Sequence, residues 1–318
     1  MGASPTGVVT PGAAAPLGRV YAALTVQVLI SAGTYLAAKR AMTELSPFTV
    51  VLWRFLVCGV AFTLLLALTP GPTLPPRSAW KRVALLGLMG GPVNQTLFFS
   101  GLERSTAAHA ALLYALTPMG VYVASLVLGR ERVSTRATAG ILTALVGVVV
   151  LLLGRGLASA QGSVQGDLLI LMAVVAWVFY TTEGKPLASE YGPLRATAWT
   201  MTVATALQLP LIPFVLKPAE VWAASFAAKG AIVYLGLMTS VVAYLLWYYA
   251  LSKVPASRVA IFSNLQPAAT ALAAWAFLNE SLHWELALGG ALVLVGVRLT
   301  QRAPVKAPPV VVQDARAG

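Results

Sequence analysis

Charged side chains are scarce in this chain. Only 10% of its 318 residues are Asp, Glu, Lys or Arg, whereas 58% are hydrophobic and the mean hydropathy is +0.80. A soluble domain carries roughly a quarter charged residues, so the composition excludes an ordinary soluble protein and predicts one that spans a membrane. The single cysteine, Cys58, excludes an intramolecular disulfide, and its apolar surroundings predict a small core residue.

Acidic and metal-binding side chains are also few. The chain has ten Asp and Glu residues, and none falls at a clear midplane position of an apolar run. Midplane acids are the usual relays of ion-coupled carriers, so their absence favours a facilitator or an exchanger. The apolar runs lack an Asp pair, a His-rich cluster and a Ser–His pair on one face, so we expect no enzyme. We also expect no cofactor and no metal, because His283 stands apart from His109 and Cys58 lies on another helix.

Basic residues outnumber acidic ones and give a net charge of +12. They are scattered between apolar runs, which indicates the orientation of membrane helices rather than nucleic-acid binding. If the N-terminus is cytoplasmic, 15 Lys and Arg residues lie inside and 6 lie outside. We therefore expect a multi-pass protein of the bacterial inner (cell) membrane with both termini cytoplasmic. Its partners would be the lipid bilayer and a small-molecule substrate, with no nucleic acid, and it would be a monomer or weak homodimer.

Ten apolar runs are long enough to cross a bilayer, which needs about 20 helical residues. Turn and charge signals separate them. The predicted spans are 20–39, 47–69, 81–101, 106–128, 135–154, 166–186, 194–216, 229–251, 257–278 and 284–301.

An internal repeat relates the two halves. The tetrapeptide LGLM occurs at 86–89 and at 235–238, an offset of 149 at which 18 of 63 aligned positions are identical. Apolar composition alone would give roughly six identities. Upstream the offset becomes 146 and pairs Lys39 with Lys185. Five helices per repeat is an odd number, so the second copy enters the membrane from the opposite side, as in many secondary transporters.

The expected fold is therefore an all-α polytopic membrane protein with ten transmembrane helices. They would form two inverted five-helix repeats around a central cavity. The expected units are a flexible cytoplasmic tail (1–18), the first repeat (19–154), a linker (155–165), the second repeat (166–301) and a second flexible cytoplasmic tail (302–318).

Residues 250–297 carry a family pattern: a small-residue helix start, a mid-helix proline, an acidic residue at the helix end and a Gly-rich last helix. Residues 101–148 repeat it, and LWRF at 52–55 adds a second-helix arginine. Across about 20–300 the chain resembles the EamA-type branch of the drug/metabolite transporter superfamily. The resemblance implies a ten-helix basket whose helices 1, 3, 4, 6, 8 and 9 line a cavity for metabolites or drugs, often exported. Where the family often has Trp in the first helix, this chain has Ser31, which would enlarge one side of the cavity.

The substrate-site candidates are aromatic, amide and hydroxyl side chains. Trp177, Tyr180 and Thr181 share one face of helix 6, and Tyr35 lies on the repeat-related face of helix 1. Trp and Tyr can instead be interfacial anchors, and His109 is favoured as an exposed vestibule residue over a substrate ligand. The remaining candidates are Gln95, His109, Tyr114, Tyr244, Trp247, Asn264 and Gln266.

Five further residues are candidates for hinge or structural roles. For Arg54, an ion pair or a backbone-carbonyl anchor is favoured, and attraction of a substrate carboxylate is the alternative. Glu131 and Glu280 end helices 4 and 9. Each either caps its helix and fixes the following loop, or holds a gate of the transport path closed. Pro118 and Pro267 remove a backbone donor within a helix and act either as hinges or as static kinks.

The pattern as a whole predicts a secondary transporter working by alternating access, an exporter or facilitator. Aromatic walls with a few amides suit small amphipathic metabolites, with amino acids, especially aromatic ones, as the leading candidates. Two alternatives remain: a channel-like or sensory multi-pass protein, and an exporter of drugs, quaternary amines or nucleosides. Glycines at 140 and 147, and at 289 and 296, are seven apart and so share a helix face, which predicts close helix packing there.

Overall fold

The computed structural model describes residues 17–104, 110, 113–130, 134–153, 164–215, 218–270 and 284–301, and within these ranges no strand occurs. Ten helical segments are labelled here α1 to α10. They are α1 Leu17–Met42, α2 Pro47–Leu68, α3 Arg77–Arg104, α4 Thr117–Val127, α5 Thr135–Leu153, α6 Val164–Tyr191, α7 Pro193–Ala206, α8 Phe226–Lys253, α9 beginning with Ala256–Ala260, and α10 Trp284–Gln301.

Membrane-spanning helices dominate the fold. Five of them (α1, α2, α3, α6 and α8) are long and apolar enough to cross a bilayer. Large apolar side chains on their outer faces are exposed, including Leu29, Val60 and Val175. Helices satisfy their backbone hydrogen bonds internally, which is what a bilayer demands. The prediction of an all-α polytopic membrane protein is confirmed, and Cys58 is a buried free thiol, as expected.

Local sequence signals set the helix ends. The Ser46 hydroxyl accepts a hydrogen bond from the Thr49 backbone N–H, and Pro47 occupies the first turn of α2. Ser225 caps α8 in the same way. Gly192 joins α6 to α7 with φ of +81°, a backbone conformation that glycine adopts without strain.

Both α3 and α8 contain a π-helical segment at their centre. The segments are Met89–Val93 in α3 and Leu235–Ala243 in α8, which correspond under the repeat. In α3 the backbone departs from helical geometry at Gly91, next to Pro92. A π segment rotates the residues that follow it and is frequent at functional sites. Tyr244 follows its segment directly and Gln95 follows one residue later, after Asn94, so the π segments set where those two side chains point.

Equivalent contacts recur in the two halves. The Lys39 ammonium donates to the Leu102 carbonyl at 2.8 Å, and the Lys185 ammonium donates to the Leu251 carbonyl at 2.8 Å. Lys39 and Lys185 are repeat partners, as are Leu102 and Leu251. The same hydrogen bond therefore occurs in both repeats, which confirms the two-repeat architecture.

Helices α5 and α10 pack closely through glycines, as predicted. A Cβ on Gly140 would lie 2.7 Å from the Gly296 carbonyl oxygen, and a Cβ on Gly147 would lie 2.7 Å from the Gly289 carbonyl oxygen. Because Gly140 corresponds to Gly289 and Gly147 to Gly296, the crossing is reciprocal, as a pseudo-two-fold axis between inverted repeats requires.

Candidate functional site

A cavity of about 80 Å³ lies between the two repeats. Its walls come from α1, α2, α3, α6, α8, α9 and the helical turn before α4. The lining residues are Gln27, Ser31, Thr34, Tyr35, Arg54, Asn94, Gln95, Phe98, Tyr114, Trp177, Thr239, Ala243, Tyr244, Trp247, Ser263 and Gln266. The family resemblance anticipated six of these helices, and α2 joins them through Arg54.

One wall of the cavity is aromatic. The Trp177 ring centroid lies 5.3 Å from that of Tyr244 and 5.5 Å from that of Trp247. Phe98, which also lines the cavity, meets Tyr35 and Tyr114 edge to face, at 5.6 Å and 5.2 Å. Such rings offer a large apolar surface and stacking partners to a solute.

A chain of hydrogen bonds links Arg54 to polar side chains of the cavity lining. The buried Arg54 guanidinium donates to the Gln95 side-chain oxygen and, at 2.6 Å, to the Ser240 hydroxyl. The Gln95 nitrogen donates to the Asn94 side-chain oxygen, and the Asn94 nitrogen donates to the Tyr114 hydroxyl at 2.9 Å. Because each amide is held by its neighbours, the polar groups have fixed positions before any ligand arrives.

Helix α1 supplies a second polar wall, and this wall joins the two repeats. The hydroxyls of Thr34 and Thr239 share a hydrogen bond at 2.9 Å between α1 and α8. The Gln27 nitrogen donates to the Ser31 hydroxyl at 2.8 Å, one helical turn away. Ser31 is small, whereas Trp177 stands at the equivalent position of the second repeat. The cavity extends toward α1, the side that Ser31 was predicted to enlarge.

Seven of the eleven candidate substrate residues line the cavity together. They are Tyr35, Gln95, Tyr114, Trp177, Tyr244, Trp247 and Gln266. Sequence spacing could bring them together because the repeat-related faces of α1 and α6, and of α3 and α8, all turn toward the centre of the basket.

Three candidates are buried away from the cavity surface. Tyr180 stacks behind Trp177 at 5.4 Å and packs against Gly90, with its hydroxyl 3.4 Å from that of Thr200. Thr181 and Asn264 are fully buried. None of the three lines the cavity in this structure, and their role as substrate ligands stays a prediction. Helix periodicity identifies a shared face but not which residue on it lies in front.

The remaining candidates divide between two situations. His109, Glu131 and Glu280 lie outside the described residues. Pro118 and Pro267 are described, but each lies at the start of an α-helical stretch rather than within one: Pro118 follows a turn, and Pro267 follows the 3-10 segment Ile261–Leu265. The helices are therefore already interrupted at both prolines. Proline is tolerated in a first turn because a backbone N–H at that position has no intrahelical partner.

Arg54 has different partners from those favoured by its sequence context. Among the described residues it forms no ion pair and no hydrogen bond to a backbone carbonyl, and its partners are Ser240 and Gln95. The rings of Phe55 and Phe99 lie about 6 Å from the guanidinium carbon, at 6.0 and 5.9 Å. The sequence favoured an ion pair or a backbone-carbonyl anchor for Arg54, whereas its partners among the described residues are two neutral side chains. The guanidinium lines the cavity.

Sequence reasoning did not single out five polar residues of the site: Gln27, Asn94, Thr239, Ser240 and Ser263. Gln27 lies one turn before Ser31 on the α1 face, and Asn94 is adjacent to Gln95. Both could have been found by extending the recognised faces by one turn or one residue. Thr239 and Ser240 lie in the π segment of α8, where a 3.6-residue period assigns the wrong face. Among the described residues, no group of three His, Cys, Asp or Glu side chains could hold a metal ion.

At one end of the molecule, α1 and the start of α8 are tied together. The Tyr234 hydroxyl donates to the Ile30 carbonyl at 2.8 Å. The Glu44 carboxylate accepts from the Ser225 backbone N–H at 2.6 Å and from Arg40 at 2.6 Å. The Ser225 backbone N–H, the Arg40 guanidinium and the Ser225 hydroxyl lower the pKa of Glu44 to about 2. We call the set Arg40, Glu44 and Ser225 the latch.

The equivalent place at the opposite end is open. There α6 and the start of α3 bound a cleft of about 480 Å³. Glu190, the repeat partner of Glu44, is half-exposed and reaches Arg82 only at 3.7 Å. Nearby, Glu183 forms a closer ion pair with Arg130 at 2.9 Å. The two ends of the molecule therefore differ: the latch joins α1 to α8 at one end, and a cleft separates α3 from α6 at the other.

Comparison with known proteins identifies the family. A family model described as the EamA-like transporter family matches residues 19–153 and 164–301. The chain belongs to the EamA-like transporter family. Members of this EamA-like family are transporters, so the expectations of a membrane transporter and of no enzymatic activity are both confirmed.

Its relatives carry transporter names. The chain is 30% identical over 281 residues to an uncharacterized transporter of Archaeoglobus fulgidus, covering 87% of this chain and 95% of that protein. It is 30% identical over 253 residues to a protein of Streptantibioticus cattleyicolor named "Probable terminal-alkyne amino-acid exporter", covering 78% and 82%. A crystal structure at 23% identity superposes with a TM-score of 0.71 over 88% of this chain and 98% of its own, which supports the fold.

Proposed function

We propose that this EamA-like protein is a secondary transporter of small amphipathic metabolites, with amino acids, and aromatic ones in particular, as its substrates. It works by alternating access as an exporter or facilitator. The observation that carries the proposal is the cavity between the repeats, where the Gln95 amide and the Tyr244 hydroxyl meet within an aromatic wall.

The chemistry of the cavity supports an amphipathic solute. Aromatic rings bury the apolar part of a ligand, while fixed amides and hydroxyls orient its polar part. The cavity volume of about 80 Å³ is smaller than the roughly 150 Å³ that holds a benzene molecule. An aromatic amino acid therefore binds with outward movement of the wall around Trp177, and smaller amino acids need less movement.

The difference between the two ends supports alternating access. The latch closes the α1–α8 end, whereas the equivalent α3–α6 end has the cleft. Since the repeats are related by inversion, exchanging their conformations would open the latched end and close the cleft. With both termini cytoplasmic in the inner membrane, the latch faces the outside and the cleft faces the cytoplasm. That arrangement would admit substrate from inside the cell, as export requires.

One relative, the Streptantibioticus cattleyicolor protein, carries a name that refers to an amino acid. This favours amino acids over the drugs, quaternary amines and nucleosides that the sequence also allowed.

The test is a thermal-shift screen of the purified protein with amino acids, nucleosides and tetraethylammonium. Binding to the folded state raises the unfolding temperature in proportion to the logarithm of ligand concentration. We expect L-phenylalanine, L-tryptophan or smaller amino acids to raise it. A shift produced only by nucleosides or by tetraethylammonium would overturn the proposed substrate class.

A further inference from the structure

Arg54 is a buried cation, and the described part of the chain places no buried anion beside it. Its side chain is 1% exposed, and none of the described residues that line the cavity is acidic. The carboxylate–cation pairs in the described part of the chain lie away from the cavity lining, for example Arg40–Glu44 and Arg130–Glu183. Buried charges in proteins are normally paired, because an unpaired one is costly.

Among the described residues, the guanidinium also has fewer acceptors than N–H donors. Arginine carries five N–H groups, and in Arg54 the hydrogen bonds to Ser240 and Gln95 use two of them. The position equivalent to Arg54 in the second repeat is Thr200, so the pseudo-symmetry does not supply a second charge. Among the described residues that line the cavity, Arg54 therefore carries the one formal charge, and it lies beside Gln95.

Two other buried polar atoms in the cavity wall have no hydrogen-bond partner among the described residues. The Gln27 side-chain oxygen is an acceptor without a donor, and the Trp247 indole N–H is a donor without an acceptor. Both side chains are at least nine-tenths buried, at 4% and 1% exposed, and both line the cavity. Leaving such groups unpaired in a protein interior costs free energy that a ligand recovers by binding them.

We infer that the cavity selects solutes that carry a carboxylate, which binds Arg54, and a hydrogen-bond donor such as an ammonium, which binds the Gln27 oxygen. This inference rests on the proposed function and narrows it. A zwitterionic α-amino acid supplies both groups and adds no net charge. An organic cation without a carboxylate meets the Arg54 charge with nothing to offset the repulsion, so the cavity rejects it.

Ligand analogues test the inference on the unmodified protein. The probes are L-phenylalanine, 3-phenylpropionate (no amine), phenethylamine (no carboxylate) and L-phenylalaninamide (carboxylate masked), with the corresponding alanine series in parallel. Binding is followed by the fluorescence of the protein, since Trp177 and Trp247 line the cavity. We expect the amino acid to bind most tightly, the carboxylate to bind more weakly, and the two cations to bind at least about tenfold more weakly than the amino acid.

Variants then assign the effect to Arg54. Arg54→Gln should weaken binding of the amino acid about tenfold or more and leave phenethylamine no weaker than before, whereas Arg54→Lys should retain part of the selectivity. Arg136→Gln, which removes an exposed arginine of α5, is the control and should change nothing.

The outcomes separate the two claims. If phenethylamine and L-phenylalaninamide bind the unmodified protein as tightly as L-phenylalanine, the inference is wrong while the aromatic cavity stands. If neither the phenyl series nor the alanine series binds, the proposed function itself is wrong, and the inference with it. This comparison needs no variant, so it decides the matter even if Arg54→Gln fails to fold.

Discussion

The Gln95 side-chain nitrogen donates a hydrogen bond to the Tyr244 hydroxyl at 3.1 Å. The two positions are 149 residues apart, which is the offset of the internal repeat. Residues that occupy equivalent places in inverted repeats meet only at the axis that relates the repeats. The hydrogen bond therefore marks the pseudo-symmetry axis, and the cavity lies on it.

Adding a negative charge at Gln95, beside Arg54, should invert the selectivity of the cavity. Gln95→Glu puts a carboxylate where the Gln95 oxygen now accepts from Arg54. The new ion pair occupies the guanidinium, so we expect the affinity for L-phenylalanine to fall about tenfold or more and that for phenethylamine to rise. Gln95→Leu removes the amide without adding charge and is the matched control. Equal effects of the two variants on phenethylamine would contradict the role given to Arg54.

The aromatic wall should contribute most of the apolar binding energy. Trp177→Ala removes a ring that contacts Tyr180, Tyr244 and Trp247 and lines the cavity. We expect it to weaken binding of an aromatic amino acid by about 1–2 kcal/mol, measured by calorimetry. Trp222→Ala is the control, since Trp222 is 81% exposed outside the spans. Unchanged affinity in folded Trp177→Ala protein would mean that the substrate binds elsewhere.

Much of this site follows from the repeat in the sequence. The offset of 149 aligned Gln95 with Tyr244, and the offset of 146 aligned the faces of α1 and α6 that bear Tyr35 and Trp177. The alignment works because inverted repeats place equivalent helix faces around one axis. The glycine crossing of α5 and α10 could be predicted for a related reason, since glycines seven apart share a helix face.

Other features depend on local backbone and packing that periodicity does not encode. The π segment of α8 turns Thr239 and Ser240 toward α1 and Arg54, and no residue in LGLMTSVVA requires an extra residue per turn. Tyr180 was predicted to bind substrate, but Gly90 of α3 leaves room that its ring fills from behind. That contact joins residues far apart in the chain, so a single helix could not reveal it.

The glycine contacts between α5 and α10 should be sensitive to a single methyl group. A Cβ on Gly147 would lie 2.7 Å from a backbone oxygen of α10 and needs the helices to separate, so Gly147→Ala should lower the free energy of unfolding by about 1–3 kcal/mol. Gly290→Ala, on the same pair of helices, meets nothing within 4 Å. It should leave stability unchanged or raise it by about 0.5–1 kcal/mol through helix propensity. Thermal unfolding in detergent measures both, and equal destabilisation would refute the close crossing.

The latch should strengthen the fold at neutral pH and lose its effect in acid. The pKa of Glu44 is lowered to about 2 from an ordinary value of 4.5. A carboxyl with a lowered pKa contributes stability that is full above its unfolded-state value and is lost as the pH falls through its folded-state value. The difference in unfolding temperature between the unmodified protein and Glu44→Gln should therefore be constant from about pH 5 to 8 and shrink below about pH 4.

Glu190→Gln provides the control for this titration. Glu190 is the repeat partner of Glu44, but its pair with Arg82 is exposed and long, at 3.7 Å. Exposed pairs of this kind contribute little, so the substitution should change the unfolding temperature less than Glu44→Gln at neutral pH. A larger effect of Glu190→Gln would show that the described state is not the one that predominates in solution.

Counterflow in proteoliposomes tests the central claim most directly, namely that this protein is a carrier with its substrate site between the repeats. Vesicles containing the purified protein are loaded with unlabelled L-phenylalanine and diluted into a trace of the labelled amino acid. A carrier exchanges the two and accumulates label transiently and saturably. We expect this accumulation with the unmodified protein and Trp222→Ala, and at least about fivefold less with Trp177→Ala at subsaturating substrate. Label that only equilibrates without overshoot, at a rate proportional to its concentration and equal in all three proteins, would contradict the account.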